Sequence, residues 1–136
     1  MRYATASAFR TALERRLVDR SRGTGASLAR LRKDVAFDRF LARLVAGAPG
    51  RWVLKGALAL EFRLGPRART TKDMDLVLRG AGEEATEALL TAGAADLGDF
   101  FAFAVEKSAG RGGADEATAV RHRGRSELAG RPFEEV

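Results

Sequence analysis

Phe9, Leu13 and Leu17 recur at intervals of four near the start of the chain, the spacing that gathers apolar side chains on one face of an α-helix. The pattern predicts a helix from Thr5 to about Arg22. Thr5 or Ser7 can cap its start, and Gly23-Thr24-Gly25 supplies the stop. A second helix is expected after Ser27, with Leu28, Leu31, Val35, Leu41 and Leu44 as its stripe and Phe37 and Phe40 at the border. The cluster Gly47-Ala48-Pro49-Gly50 cannot continue it. Trp52-Val53-Leu54 then delivers the chain into Lys55-Gly56. Ala57 to Leu64 reads as a helix turning Leu58, Leu60 and Leu64 inward, ended by Gly65-Pro66.

Further on, the period changes. The basic segment Arg67-Ala68-Arg69-Thr70-Thr71-Lys72 leads into a strand over Asp73 to Leu78, and Gly80-Ala81-Gly82 makes a turn. Glu83 to Ala94 is a helix with acids in its first turn, where the helix dipole favours them. Phe101, Phe103 and Val105 alternate with Ala102, Ala104 and Glu106, the period of a strand. Gly110 to Asp115 is a loop. Thr118 to Arg123 and Pro132 to Val136 read as two more strands, with Ala129-Gly130-Arg131 as the turn before the last. Helices first and strands later make an α+β fold, with one mixed sheet flanked by helices.

A chain of 136 residues suffices for one domain with one core. Without cysteine it has no disulfide framework and no thiolate zinc site. No apolar run is long enough to span a bilayer, and the N-terminus lacks the apolar core of a secretory signal, so a cytoplasmic protein is expected. Lysine and arginine total 24 against 18 acids, a net charge of +6 that favours polyanions such as nucleic acid. Arginine-rich usage from a GC-rich genome gives the same balance. The arginines of the first two helices accordingly read as solvated faces or as an RNA-facing surface.

The chemistry concentrates in two places. Asp73 and Asp75 stand two apart in a strand, which puts both on one face roughly 7 Å apart at Cα. Two carboxylates so close repel unless a cation sits between them, and a hard divalent ion such as Mg²⁺ or Mn²⁺ suits them. Pairing with Lys72, Arg69 or Arg79 is the purely structural alternative. Lys55-Gly56 forms a strand-to-helix turn, able to receive phosphate on free backbone N–H groups or simply to turn the chain. His122, between two arginines, reads as an exposed strand residue rather than a general base.

The run Trp52-Val53-Leu54-Lys55-Gly56-Ala57-Leu58-Ala59-Leu60-Glu61-Phe62-Arg63-Leu64, followed by Arg69-Thr70-Thr71-Lys72-Asp73-Met74-Asp75-Leu76, resembles the AbiEii/AbiGii toxin family. These are nucleotidyltransferase-like toxins of bacterial toxin–antitoxin and phage-defence loci, within the DNA polymerase β-type superfamily. Leu128-Ala129-Gly130-Arg131-Pro132-Phe133 resembles the hairpin entering the family's third catalytic strand. The resemblance implies a nucleotidyltransferase-like domain over residues 1–136: a helical lead-in over 1–50 and a catalytic sheet region over 51–136. The family's C-terminal helical part is missing, which reads as a truncation.

On the same resemblance, Asp73 and Asp75 are the catalytic metal ligands, while Lys55, Gly56, Ala57, Arg69 and Thr71 lie on the nucleotide. The implied reaction moves NMP from an NTP to RNA, such as the 3′ end of tRNA, and implies a cognate antitoxin. Ala57 stands where the family has glycine or serine. The third carboxylate of the superfamily falls beyond Glu134-Glu135-Val136, with Glu135 or Glu106 as stand-ins. A catalytically incomplete nucleotide- or RNA-binding module, or phosphotransfer to a protein, are the competing readings.

Overall fold

The computed structural model describes residues 3–55, 59, 63, 75–78, 82–107 and 122–136, with backbone alone for 55, 75–78 and 82–84. Helix α1 spans Ala6–Thr24 and helix α2 Leu28–Gly47. Thr5 Oγ1 accepts from the Ala8 N–H at 3.1 Å, and Ser27 Oγ accepts from the Arg30 N–H at 3.1 Å. These are the cap bonds their sequence positions predict. Gly25 closes α1 in the left-handed region, φ 79°, its N–H donating to the Ser21 carbonyl. Strand β1 is Trp52–Lys55, β2 Asp75–Leu78, α3 Gly82–Ala94, β3 Phe101–Lys107, β4 His122–Leu128 and β5 Arg131–Glu135. Ala59, buried, and Arg63, exposed, are helical. The rest of the helix expected over Ala57 to Leu64, the basic lead-in 67–72 and the loop 110–115 lie outside the described residues.

The α+β class holds. Where one mixed sheet is expected, the described strands form two ladders, β1–β2 and β3–β4–β5, and every pair in them is antiparallel. Of the strand expected over Thr118 to Arg123, residues 118–121 lie outside the described residues, and the described strand runs past the expected end, His122–Leu128. Its inner face consists of Gly124, Ser126 and Leu128, which offers little apolar alternation to read. The β4–β5 turn falls at Ala129-Gly130 as expected, both residues at positive φ (58° and 73°), the backbone of a type I′ hairpin.

One face of β3–β4–β5 carries the core. Phe101, Phe103, Leu128 and Phe133 pack with Leu17 of α1, Ala36, Phe40 and Leu44 of α2, and Ala92 of α3. Phe40 meets Phe103 at 5.3 Å between ring centroids, and Phe101 meets Phe133 edge-on at 5.4 Å. Phe37 and Phe40 are therefore not at the border of the α2 stripe: both are buried, while Leu41 is only half-buried. The core-facing arc of α2 is Ala36, Phe37, Phe40, Arg43 and Leu44.

Arg43 is the unexpected member of that arc, with no exposed surface. Its five N–H groups are all used. Nη1 and Nη2 grip Asp99 at 2.9 and 2.8 Å, and the remaining donors go to the carbonyls of Arg39, Ala95 and Phe101 at 3.0, 3.2 and 2.9 Å. The guanidinium also lies 4.7 Å from the centroid of the Phe103 ring. Asp99 accepts the Phe101 N–H at 3.1 Å and faces Arg39 at 3.5 Å. Burial pushes the Asp99 carboxyl upward, but the hydrogen bonds from Arg43 and Phe101 and the charges of Arg43 and Arg39 outweigh it and hold it below the ordinary 3.8.

Two predictions follow from this packing. Replacing a helix glycine by alanine ordinarily stabilises by about 1 kcal/mol. At Gly93, however, the new Cβ would lie 2.8 Å from Val105 Cγ2 and 3.4 Å from Val105 Cβ. Gly93→Ala is expected to destabilise by about 1–3 kcal/mol, seen as a lower urea midpoint with an unchanged slope. An unchanged or higher midpoint would show that β3 yields freely. Asp99→Asn leaves Arg43 buried without its counter-charge and is expected to cost about 3 kcal/mol at pH 7. Because the folded pKa is lowered, that contribution is complete above pH 3.8 and is lost as pH falls through the folded value. The gap in melting temperature between parent and Asp99→Asn should therefore narrow below pH 4, and a constant gap would refute the assignment.

Candidate functional site

The β1–β2 ladder is four residues long, and its register is Trp52↔Leu78, Val53↔Val77, Leu54↔Leu76 and Lys55↔Asp75. β1 ends at Lys55 and β2 begins at Asp75, so the antiparallel register brings both to the same end of the pair. The ladder end at which the chain leaves β1 after Lys55 is thus the end at which β2 begins at Asp75, twenty positions later. Directly opposed residues in such a ladder stand about 4.5–5.5 Å apart at Cα.

Of the predicted site residues, the structure thus brings together Lys55 and Asp75. Gly56, Ala57, Arg69, Thr71 and Asp73 lie outside the described residues. Asp73 and Asp75 are hard oxygen donors of the kind that Mg²⁺ takes, usually one or two per ion with phosphate and water completing the shell. Among the described residues no group of three or more His, Asp or Glu side chains stands ready to hold a metal ion.

The two stand-in carboxylates are placed clearly. Glu106 on β3 is exposed and registers against Arg123, and Glu135 on β5 is exposed and registers against Arg125. Strand alternation alone would put Glu135 on the face of Phe133, but the strand is interrupted. The register shifts between Arg125 and Glu127, so β5 carries an extra residue there; Phe133 points into the core while Glu135 lies outside. Ser126 seals this bulge: its hydroxyl donates to the Glu134 carbonyl at 2.6 Å and accepts the Glu134 N–H at 2.9 Å. Opposite an arginine on the outer face, each acid suits a cross-strand charge pair. His122 is half-buried rather than exposed, its Nε2 3.2 Å from Thr86 Oγ1 on α3, which makes it a β4–α3 contact.

Arg43 and Asp99 were missed in the sequence, though a signal was present. Arg43 stands three residues from Phe40 and seven from Ala36, on the apolar arc of α2. A charged residue in a core stripe calls for a buried partner. Their role is to hold the sheet rather than to touch substrate. α3 packs on β3 and reaches β2, so the Arg43 network supports the face on which the β1–β2 ladder is set.

Residues 39–134, more than half of the chain, match the family model described as nucleotidyl transferase AbiEii toxin, type IV TA system. The matched span runs from the middle of α2 through β5 and includes both ladders. No curated protein matches the chain.

Proposed function

This chain belongs to the AbiEii family of nucleotidyl transferase toxins of type IV toxin–antitoxin systems, and we propose that it transfers a nucleoside monophosphate from an NTP to RNA, at the 3′ end of tRNA. The observation that carries the reading is the β1–β2 register, which sets Lys55 against Asp75 at one ladder end. Asp73 and Asp75 would hold Mg²⁺ or Mn²⁺. Such an ion supplies charge neutralisation at the transferring phosphate. Gly56 would let backbone N–H groups approach the triphosphate, with Lys55 adding a point charge and Ala57 keeping the approach small. Arg69 and Thr71 would steady the phosphates as the acceptor hydroxyl is aligned in line.

Nucleotides added to the tRNA 3′ end would block aminoacylation, which explains a growth-arresting toxin and its cognate antitoxin. Among the described residues no helix is long and apolar enough to cross a membrane, and a cytoplasmic site of action fits an RNA acceptor.

The test is label transfer from each of the four α-³²P NTPs to total tRNA with Mg²⁺, for the chain and its Asp73→Asn and Asp75→Asn variants. We expect one preferred NTP, loss of label on chelation, and a fall of about a hundredfold or more in either variant. RNA binding without transfer from any NTP would overturn the enzyme in favour of a binding module. Label that resists ribonuclease and yields to protease would redirect the reaction to a protein hydroxyl.

A further inference from the structure

The arginines of the two leading helices divide into two sets. Arg10, Arg30, Arg32, Arg39 and Arg43 are engaged within the fold. Arg10 donates to the carbonyls of Leu128, Arg131 and Pro132 at 2.7, 3.1 and 3.1 Å, and Arg32 grips Glu14 at 2.7 Å. Arg39 and Arg43 converge on Asp99. Arg15, Arg16, Arg20 and Arg22 on α1 are exposed and make no side-chain hydrogen bond or ion pair with the described residues.

At 100° per residue Arg15, Asp19 and Arg22 lie opposite the buried Leu17, while Arg16 and Arg20 lie on the flank between, about 100° and 60° from it. Arg16 and Arg20 are about 6 Å apart along the axis and Arg15 and Arg22 about 10 Å. Like charges four apart on a helix cost stability, so the Arg16–Arg20 pair gains the fold nothing. Dipole stabilisation in the last turn accounts for Arg22 alone.

The face is also bare of apolar anchors. The exposed large hydrophobic residues, Val45, Val53, Leu90 and Leu97, all lie on other elements. A protein interface needs a desolvated apolar or aromatic centre; a phosphate backbone needs only guanidinium forks in a row. We propose that Arg15, Arg16, Arg20 and Arg22 on α1 form the surface that holds the phosphate backbone of the RNA acceptor. The inference rests on the RNA acceptor proposed above. It adds a docking surface ahead of residues 39–134, the span that matches the family model.

The test is equilibrium binding of total tRNA between 50 and 200 mM salt, without NTP, in the Asp73→Asn background so that turnover plays no part. Each phosphate contact adds about 0.7–0.9 to the slope of log affinity against log salt. Replacing all four arginines by glutamine should lower that slope by about three and weaken binding at 50 mM salt at least tenfold, roughly. The pairs Arg15→Gln/Arg16→Gln and Arg20→Gln/Arg22→Gln should each remove about half the change, which keeps the test alive should the quadruple variant fold poorly. Four lysines in place of the arginines should retain most of the slope.

Equal slopes in parent and glutamine variants would overturn the proposal. So would parent chain that ignores tRNA yet binds polyglutamate through these arginines, since that marks an acidic protein partner. Nucleotide transfer to tRNA undiminished by the glutamine variants would overturn the docking surface and leave the enzyme standing. Lost salt-dependent binding with no transfer from any NTP would do the reverse.

Discussion

The buried pair of Arg43 and Asp99 sets the frame for the rest of the molecule. Taking a guanidinium wholly out of water costs several kcal/mol unless every donor is met. Here each of its five N–H groups finds an oxygen, and those oxygens belong to α2, to the α3–β3 connection and to the first residue of β3. One side chain thus fixes a helix, a turn and a strand relative to one another. The turn itself is strained at Phe100, which stands at φ 69°; a left-handed phenylalanine costs about 1–2 kcal/mol. The Asp99 carboxylate, accepting the Phe101 N–H while gripped by Arg43, is what keeps that conformation worthwhile. A hydrophobic residue at 43 could fill the space but could not hold the turn's carbonyls.

From that frame the position of the candidate site follows in steps. The strained turn sets where β3 begins, and the β3–β4 register from Phe101↔Leu128 to Lys107↔His122 then follows from alternation. α3 is pinned between α2 and β3, with Gly93 allowing its backbone close to Val105. α3 in turn contacts β2, the strand that opens with Asp75. The carboxylate of the Asp-x-Asp motif is therefore carried on a strand braced from behind by the core. Catalytic geometry is best kept on such elements, because a ligand displaced by 1 Å loses much of its effect.

Much of this was legible in the sequence where the physics is local. Thr5, Ser27 and Gly25 act within one helical turn of their own positions, and the helix ends fell where their chemistry put them. Phe101, Phe103 and Val105 betrayed β3 because one face is aromatic or branched. The extension of β4 to Leu128 was not legible because tertiary contacts, not hydrophobicity, choose its inner residues. A Cβ on Gly124 would meet Val136 Cγ2 at 2.5 Å, and Ser126 is there to satisfy the bulge opposite it. The same bulge inverted the face of Glu135, since a period of two fails across one inserted residue. At the site, the motif spacing singled out Lys55 and Asp75 as candidates, whereas their meeting depends on an antiparallel register that no local pattern encodes.

The arginines carry this distinction furthest. Composition alone could not separate a solvated surface from a working one, because all of them count equally toward the net charge of +6. In the fold they are not equal. Arg10 is bound by carbonyls, not by acids, so its charge is structurally employed yet electrostatically uncompensated. It lies on the same helix as Arg15, Arg16, Arg20 and Arg22, which bond to none of the described residues. Arg10 clamps α1 to the β4–β5 turn. A charged helix free to move would smear its field over many orientations. Clamped in this way, α1 presents its charge at a fixed place relative to the sheet, the condition under which electrostatics can orient a partner as well as attract it.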